Sequence, residues 1–186
     1  MTEIIQNLDG DLLISIQQAV IRESVTPAVR FITSLGNGGM IWIAFIILML
    51  IFRKTRKDGI WTGCALAVSF VINNLILKNV IARVRPYEAF SAVQLLIEKQ
   101  SDYSFPSGHT ASSFVVAVSI YLFLPRRYGI PALILAFLIS LSRLYVGVHY
   151  PLDVLCGAIS GTLIAMILAA VRTRLEKQQP DLEGGV

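Results

Sequence analysis

Five apolar runs of membrane length constrain this chain more than any other feature. They lie at about Leu35 to Phe52, Gly59 to Ala82, Ser107 to Leu124, Tyr128 to Val146 and Tyr150 to Val171. A hydrocarbon core of about 30 Å takes roughly 20 residues of helix to cross. Inside it only helices and closed barrels satisfy their own backbone polar groups. With 55% hydrophobic and 15% charged residues, the composition is far from that of an ordinary soluble domain. The expectation is an all-α, polytopic transmembrane helix bundle with five spans. The first run is the weakest: its fully apolar part, Met40 to Phe52, reaches span length only by taking in Gly36-Asn37-Gly38-Gly39.

Residues 1–34 read differently. Asp9, Asp11, Arg22, Glu23 and Arg30 interrupt an apolar pattern that includes Leu12, Leu13, Ile16, Val20 and Phe31. That alternation predicts a pair of amphipathic helices in the membrane interface, broken near Ser24 to Pro27, with a sixth span as the alternative. No basic start followed by an apolar stretch and a small-residue cleavage site is present, so no signal peptide is expected. The organisation predicted is one membrane-embedded domain over 1–178, comprising interfacial helices at 1–34 and a bundle at 35–171. A polar tail at 179–186 follows it.

Orientation follows from the short basic loops, because Lys and Arg are retained on the cytoplasmic side. Arg53, Lys54, Arg56 and Lys57 fill one loop, Arg126 and Arg127 a second, and Arg172, Arg174 and Lys177 the tail after the last run. Five spans put all three on one side, leaving the stretches Lys78 to His109 and Arg143 to Asp153 on the extracytoplasmic face. Anionic lipid and topology account for a pI near 9.3, so no nucleic-acid partner is expected. Cys64 and Cys156 fall at opposite depths and are expected as free thiols. Oligomeric state is not legible in the chain.

Three short clusters then fall at the same end of the runs, where ionisable side chains are costly and usually functional. Lys78 and Arg85 are separated by nearly two helical turns, so a continuous helix would present both on one face before Pro86 ends it. Snorkelling to the interface is the competing reading, and for Arg83 between them it is the simpler one. Pro106-Ser107-Gly108-His109 opens the third run. A helix start carries free N–H groups and a partial positive charge, so the Ser107 hydroxyl, Gly108 amide and His109 imidazole could meet on one phosphoryl group. The loop from Tyr87 to Phe105 is long enough to shape a site. Ser142-Arg143 ends the fourth run, and His149 and Asp153, one helical turn apart, begin the fifth. The Asp153 carboxylate could accept the His149 Nδ1–H and leave Nε2 free to attack. Zinc on His109, His149 and Asp153 is an alternative, disfavoured by the surrounding cations. Asn73 and Asn74 read as interhelical hydrogen-bonding groups, and Gly157 and Gly161 as a small-residue packing face.

The pattern Lys78-(six residues)-Arg85-Pro86, Pro106-Ser107-Gly108-His109 and Ser142-Arg143-(five residues)-His149-(three residues)-Asp153 resembles the tripartite signature of the type 2 phosphatidic acid phosphatase family, the lipid phosphate phosphatases. The resemblance covers residues 78 to 153. It implies that His149 is a nucleophile forming a phosphohistidine, with Asp153 orienting its imidazole. His109 would protonate the leaving oxygen and later activate water. Lys78, Arg85 and Arg143, with Ser107 and Gly108, would hold the phosphoryl oxygens, without metal or other cofactor.

The substrate implied is a lipid phosphate or diphosphate taken from the membrane, first undecaprenyl pyrophosphate, then phosphatidylglycerol phosphate or phosphatidic acid. Two other readings stay open. One is a non-catalytic protein that binds or transports a lipid phosphate. The other follows the related vanadium haloperoxidases, which the membrane spans argue against.

Overall fold

The computed structural model describes residues 3–178, and the polar tail expected at 179–186 lies outside them. Among the described residues every regular element is helical. In chain order these are α1 (Glu3–Val20), α2 (Thr26–Leu35), a 3-10 turn (Asn37–Gly39), α3 (Met40–Ile51) and α4 (Arg56–Phe70). A π-helical stretch (Val71–Leu77) carries α4 into α5 (Lys78–Ile81). The chain continues with α6 (Pro86–Ala89), α7 (Gly108–Phe123), α8 (Arg126–Tyr145) and α9 (Pro151–Gln178).

Three stretches are long and apolar enough to cross a membrane: Arg56–Ala89, Arg126–Tyr145 and Pro151–Gln178. The first expected run is not a straight span. Helices α2 and α3 meet at a bend of 47° and make a fourth crossing only if taken as one broken span. The bend is built on Gly38 and Gly39, whose φ of 58° and 70° lie in the left-handed region that glycine enters without a Cβ clash. Helix α7 is apolar but has only 16 residues. It is the central helix of the bundle, with Val115, Val116 and Ala117 fully buried among its neighbours.

The N-terminal segment breaks where the pattern predicted, between α1 and α2. Helix α1 leaves Ile4, Leu8 and Leu12 exposed on one side and buries Asp9, Leu13 and Gln17 on the other. Gln17 ties this helix to the bundle, its Nε2 donating to the Gln94 and Tyr145 carbonyls at 2.9 and 3.0 Å. The Tyr145 hydroxyl closes the break through the Arg22 carbonyl at 3.0 Å and Thr26 Oγ1 at 2.9 Å. An amphipathic helix with a polar anchor on its inner face suits an interface position.

Helices α7 and α9 touch along the small-residue face anticipated from Gly157 and Gly161. A Cβ at Gly161 would sit 2.5 Å from the Ala111 carbonyl oxygen, and one at Gly157 2.8 Å from that of Ser107. Backbone cannot yield as a flexible side chain would. Gly161→Val is therefore expected to destabilise the detergent-solubilised protein by about 1–3 kcal/mol, the usual cost of overpacking. Gly63→Ala, where a Cβ meets only Ile46 Cγ2 at 3.6 Å, serves as the neutral comparison in the same thermal melt.

The basic ends gather at one end of the bundle. Arg172 pairs with Asp58 at 2.6 Å and covers the Phe123 ring at 4.6 Å, joining the ends of α9, α4 and α7. Cys64 is exposed and Cys156 half-buried, and both are free thiols. Asn73 departs from expectation: its Nδ2 donates to Ser69 of its own helix, to the carbonyl at 3.0 Å and to Oγ at 3.2 Å. A neighbour's carbonyl four residues back is the nearest acceptor, so no second helix is needed.

Candidate active site

The widened π-helical turn delivers Asn74 and Lys78, and the helix ends three residues later. Ala82 adopts φ 47° and ψ 42°, a left-handed cap whose N–H returns to the Lys78 carbonyl at 3.0 Å. Arg83 to Arg85 then run on outside the helix before Pro86 opens α6 instead of ending a helix. The shared helical face expected for Lys78 and Arg85 is thus absent. What unites them is Asp102, in the loop between α6 and α7. Its carboxylate bridges the Lys78 ammonium and Arg85 Nη2, the latter at 2.5 Å. Arg85 also donates from Nε to the Asp102 carbonyl at 2.8 Å and from Nη1 to the Val148 carbonyl at 2.7 Å. One guanidinium therefore fastens two loops. Partial burial alone would push the Asp102 carboxyl up, but the Lys78 and Arg85 charges outweigh it and hold it down at about 2.

Helix α7 begins with Ser107 as its cap. The Ser107 hydroxyl is fully buried and faces Thr110, 3.0 Å from its Oγ1, so it turns into the helix start. Its backbone N–H donates to the Asp153 carbonyl at 3.0 Å, which ties the start of α7 to the start of α9. Gly108 lies against Asn74, where a Cβ would come within 2.9 Å of the amide. His109 Nε2 is 3.1 Å from Asn37 Oδ1, and its ring packs on Gly36.

Arg143, 1% exposed, projects from the end of α8 and donates from Nη1 to Thr33 Oγ1 at 2.7 Å. It has no carboxylate partner among the described residues. The chain then turns at Gly147, whose φ of 77° and 2.3 Å Cβ clearance to the Gln94 carbonyl admit only glycine. The turn places His149 against Asp153, with Nδ1 and Oδ2 3.5 Å apart and no aligned hydrogen bond between them. Burial, then Arg85, Arg143 and Lys78, push the His149 imidazole well below its usual range, so the neutral ring is favoured.

Asp153 is itself heavily engaged. Its Oδ2 accepts from Ser104 Oγ at 2.5 Å and from the Tyr150 N–H at 3.0 Å, the latter a capping contact at the start of α9. Its Oδ1 accepts from Arg83 Nη1 at 2.6 Å. Arg83 does not snorkel. It is 3% exposed, lies over the Tyr150 ring at 3.6 Å, and contacts Asp9 of α1 at 2.8 Å. Two carboxylates that need a cation in a dry setting are what draw it inward.

These elements enclose a cavity of about 490 Å³. Lys78, Arg85, Gly108, His109, Arg143 and His149 line it at one end. Ile43, Leu66 and Phe70 line it on the α3 and α4 side, and Phe70 is half exposed to the surroundings of the bundle. Six of the eight expected site residues thus share one space, while Ser107 and Asp153 stand behind its wall. Thr33, Asn37, Arg83, Asp102 and Ser104 belong to the arrangement without having been anticipated. Asp102 and Ser104 lie within the loop already marked as site-shaping; Thr33 and Asn37 carry no local signal. Among the described residues no group of three or more His, Cys, Asp or Glu is placed to hold a metal.

Residues 58–177 match the model of the PAP2 superfamily. The chain is 38% identical over 133 residues, 72% of its length, to a Sulfolobus acidocaldarius protein named undecaprenyl-diphosphatase. That alignment takes in 64% of the relative's length, so the chain spans slightly less than two thirds of it. The crystal structure of Aquifex aeolicus LpxE superposes with a TM-score of 0.76 at 28% identity, covering 86% of this chain and 93% of that one. A Bacillus subtilis transmembrane PAP2-type phosphatidylglycerolphosphate phosphatase gives 0.74 at 26% identity, covering 98% and 90%.

Proposed function

The chain belongs to the PAP2 superfamily, a multi-pass membrane protein with several apolar helices, and from that premise we propose that it is a metal-independent lipid phosphatase working through a phosphohistidine. The observation that carries the proposal is the charge of the cavity. Lys78, Arg85 and Arg143 line it, and Asp102 is the one acidic side chain among its lining residues. A buried cation without a counter-ion, as Arg143 is, favours an anionic ligand.

In the first step His149 Nε2, on the ring edge away from Asp153, attacks phosphorus while the bond to the leaving oxygen breaks. Asp153 steadies the imidazole as it gains charge. His109 gives its proton to the leaving oxygen, then takes one from the water that cleaves the phosphorus–nitrogen bond and releases inorganic phosphate. Lys78, Arg85, Arg143 and the Gly108 amide hold the remaining phosphoryl oxygens as charge redistributes. Ser107 contributes by fixing the start of α7.

The apolar α3 and α4 side of the cavity suits a lipid chain entering from the bilayer. A diphosphate carries more charge than a monoester and matches the cationic end better, so undecaprenyl diphosphate is the substrate we place first. Phosphatidylglycerol phosphate or phosphatidic acid is the second choice, favoured by the likeness to the Bacillus phosphatase. We read α7 and the bent α2–α3 pair as crossings, five in all, and basic loops held inside then favour an extracytoplasmic site.

The test is phosphate release from undecaprenyl diphosphate and phosphatidic acid by the purified protein in EDTA. Activity is expected there, and binding without release would leave the lipid-binding reading in its place. Arg143→Ala in the same assay is expected to lose about a hundredfold or more in turnover, the scale of removing one electrostatic contact to a developing charge. Parental turnover in that variant would remove Arg143 from its role.

A further inference from the structure

We propose that Asp102 is a specificity-determining residue: its carboxylate holds Lys78 and Arg85 until a lipid diphosphate displaces it, and a monophosphate displaces it far less well. The enzyme would then stop after removing one phosphate. This rests on the phosphatase reading above. A carboxylate presents two oxygens to two cations much as a phosphoryl group does, and the Asp102 oxygens divide between Lys78 and Arg85 in that way. Because it is part of the chain, it competes at a high effective concentration, and an incoming anion must interact more strongly than it does. A phosphate monoester brings a charge of about −1.5 to −2 at neutral pH. A diphosphate brings more, and its attraction to the same cations grows in proportion.

The exchange requires little movement. Arg85 Nε holds the Asp102 carbonyl at 2.8 Å, and the Tyr87 hydroxyl bridges the Gln100 backbone, accepting its N–H at 3.1 Å and lying 3.2 Å from its carbonyl. The loop is therefore fixed from the backbone side, while the Asp102 side chain is 49% exposed and can turn into water. In water its charge is screened from the bound substrate. When the lipid monophosphate remains after the first cleavage, return of the carboxylate to Lys78 and Arg85 favours release over a second attack.

The experiment compares the full chain with Asp102→Asn and Asp102→Glu on undecaprenyl diphosphate and undecaprenyl phosphate, with inorganic phosphate as inhibitor. Asp102→Asn is expected to raise kcat/KM on the monophosphate at least tenfold relative to the diphosphate and to tighten phosphate inhibition. Asp102→Glu is expected to restore the parental ratio. An unchanged ratio overturns the proposal. So does a parallel loss on both lipids with weaker phosphate inhibition, which would make Asp102 a scaffold for the two cations. If the parental protein cleaves neither lipid, the phosphatase reading has failed by itself, and calorimetric binding of inorganic phosphate decides: tighter in Asp102→Asn supports displacement, equal binding overturns it. Asp102→Ala replaces the Asn variant in every arm if that variant does not fold.

Discussion

A His149→Ala protein is expected to extract, purify and melt like the parent chain while releasing no phosphate from any lipid. The imidazole is buried, yet its Nδ1 makes no aligned hydrogen bond, and it stands among Arg85, Arg143 and Lys78. Truncating it removes little that the fold depends on. It removes the imidazole that Asp153 backs, however, and deleting a covalent nucleophile costs on the order of a millionfold in turnover. The measurement is phosphate release set beside the thermal midpoint of the same sample. Retained turnover would reassign the nucleophile, and loss of folded yield equal to loss of activity would make His149 a structural residue.

The largest effect on stability is expected at Arg83. Its guanidinium lies between Asp9, 4% exposed, and Asp153, fully buried, and covers the Tyr150 ring. Arg83→Leu leaves both carboxylates without their cation, and breaking a buried ion pair from one side costs about 3–5 kcal/mol. Asp9→Asn, which removes one charge and leaves the Arg83–Asp153 pair in place, is expected to cost less. Thermal unfolding in detergent separates the two. A midpoint for Arg83→Leu matching that of the parent would mean that the cluster is an incidental contact. Activity offers a second readout, because an Asp153 carboxylate released from Arg83 is free to shift against His149.

The site was legible in the sequence to the extent that its chemistry is local. Lys78, Arg85, Gly108, His109, Arg143 and His149 each stand where a charge or small residue opens or closes an apolar run, and the fold brings all six to one cavity. Two of them come together for a reason that the local sequence does not carry. Lys78 and Arg85 were paired by helical periodicity, but the helix stops at Ile81 and the pairing comes from Asp102, 24 and 17 positions away. Arg83 was read as snorkelling because a basic residue at a span end usually does so. Its counter-ions Asp9 and Asp153 are remote in the chain, and no pattern near Arg83 announces them. The same holds for Thr33 beneath Arg143, 110 positions away, and for Asn37 against His109, 72 away.

Hydropathy and spacing by themselves determined that this is a helical membrane protein and that its charged and small residues gather beside the ends of its apolar runs. Those properties depend on single residues and their near neighbours, and the bilayer enforces them segment by segment. Only the tertiary structure decided that α2 bends into α3, that α7 is a short central helix, and that α1 reaches the site through Asp9. It also decided that Asp102 rests on Lys78 and Arg85. The reason is the cost of burying charge: each buried cation or carboxylate must find a partner wherever the packed chain supplies one, and that choice is made in three dimensions.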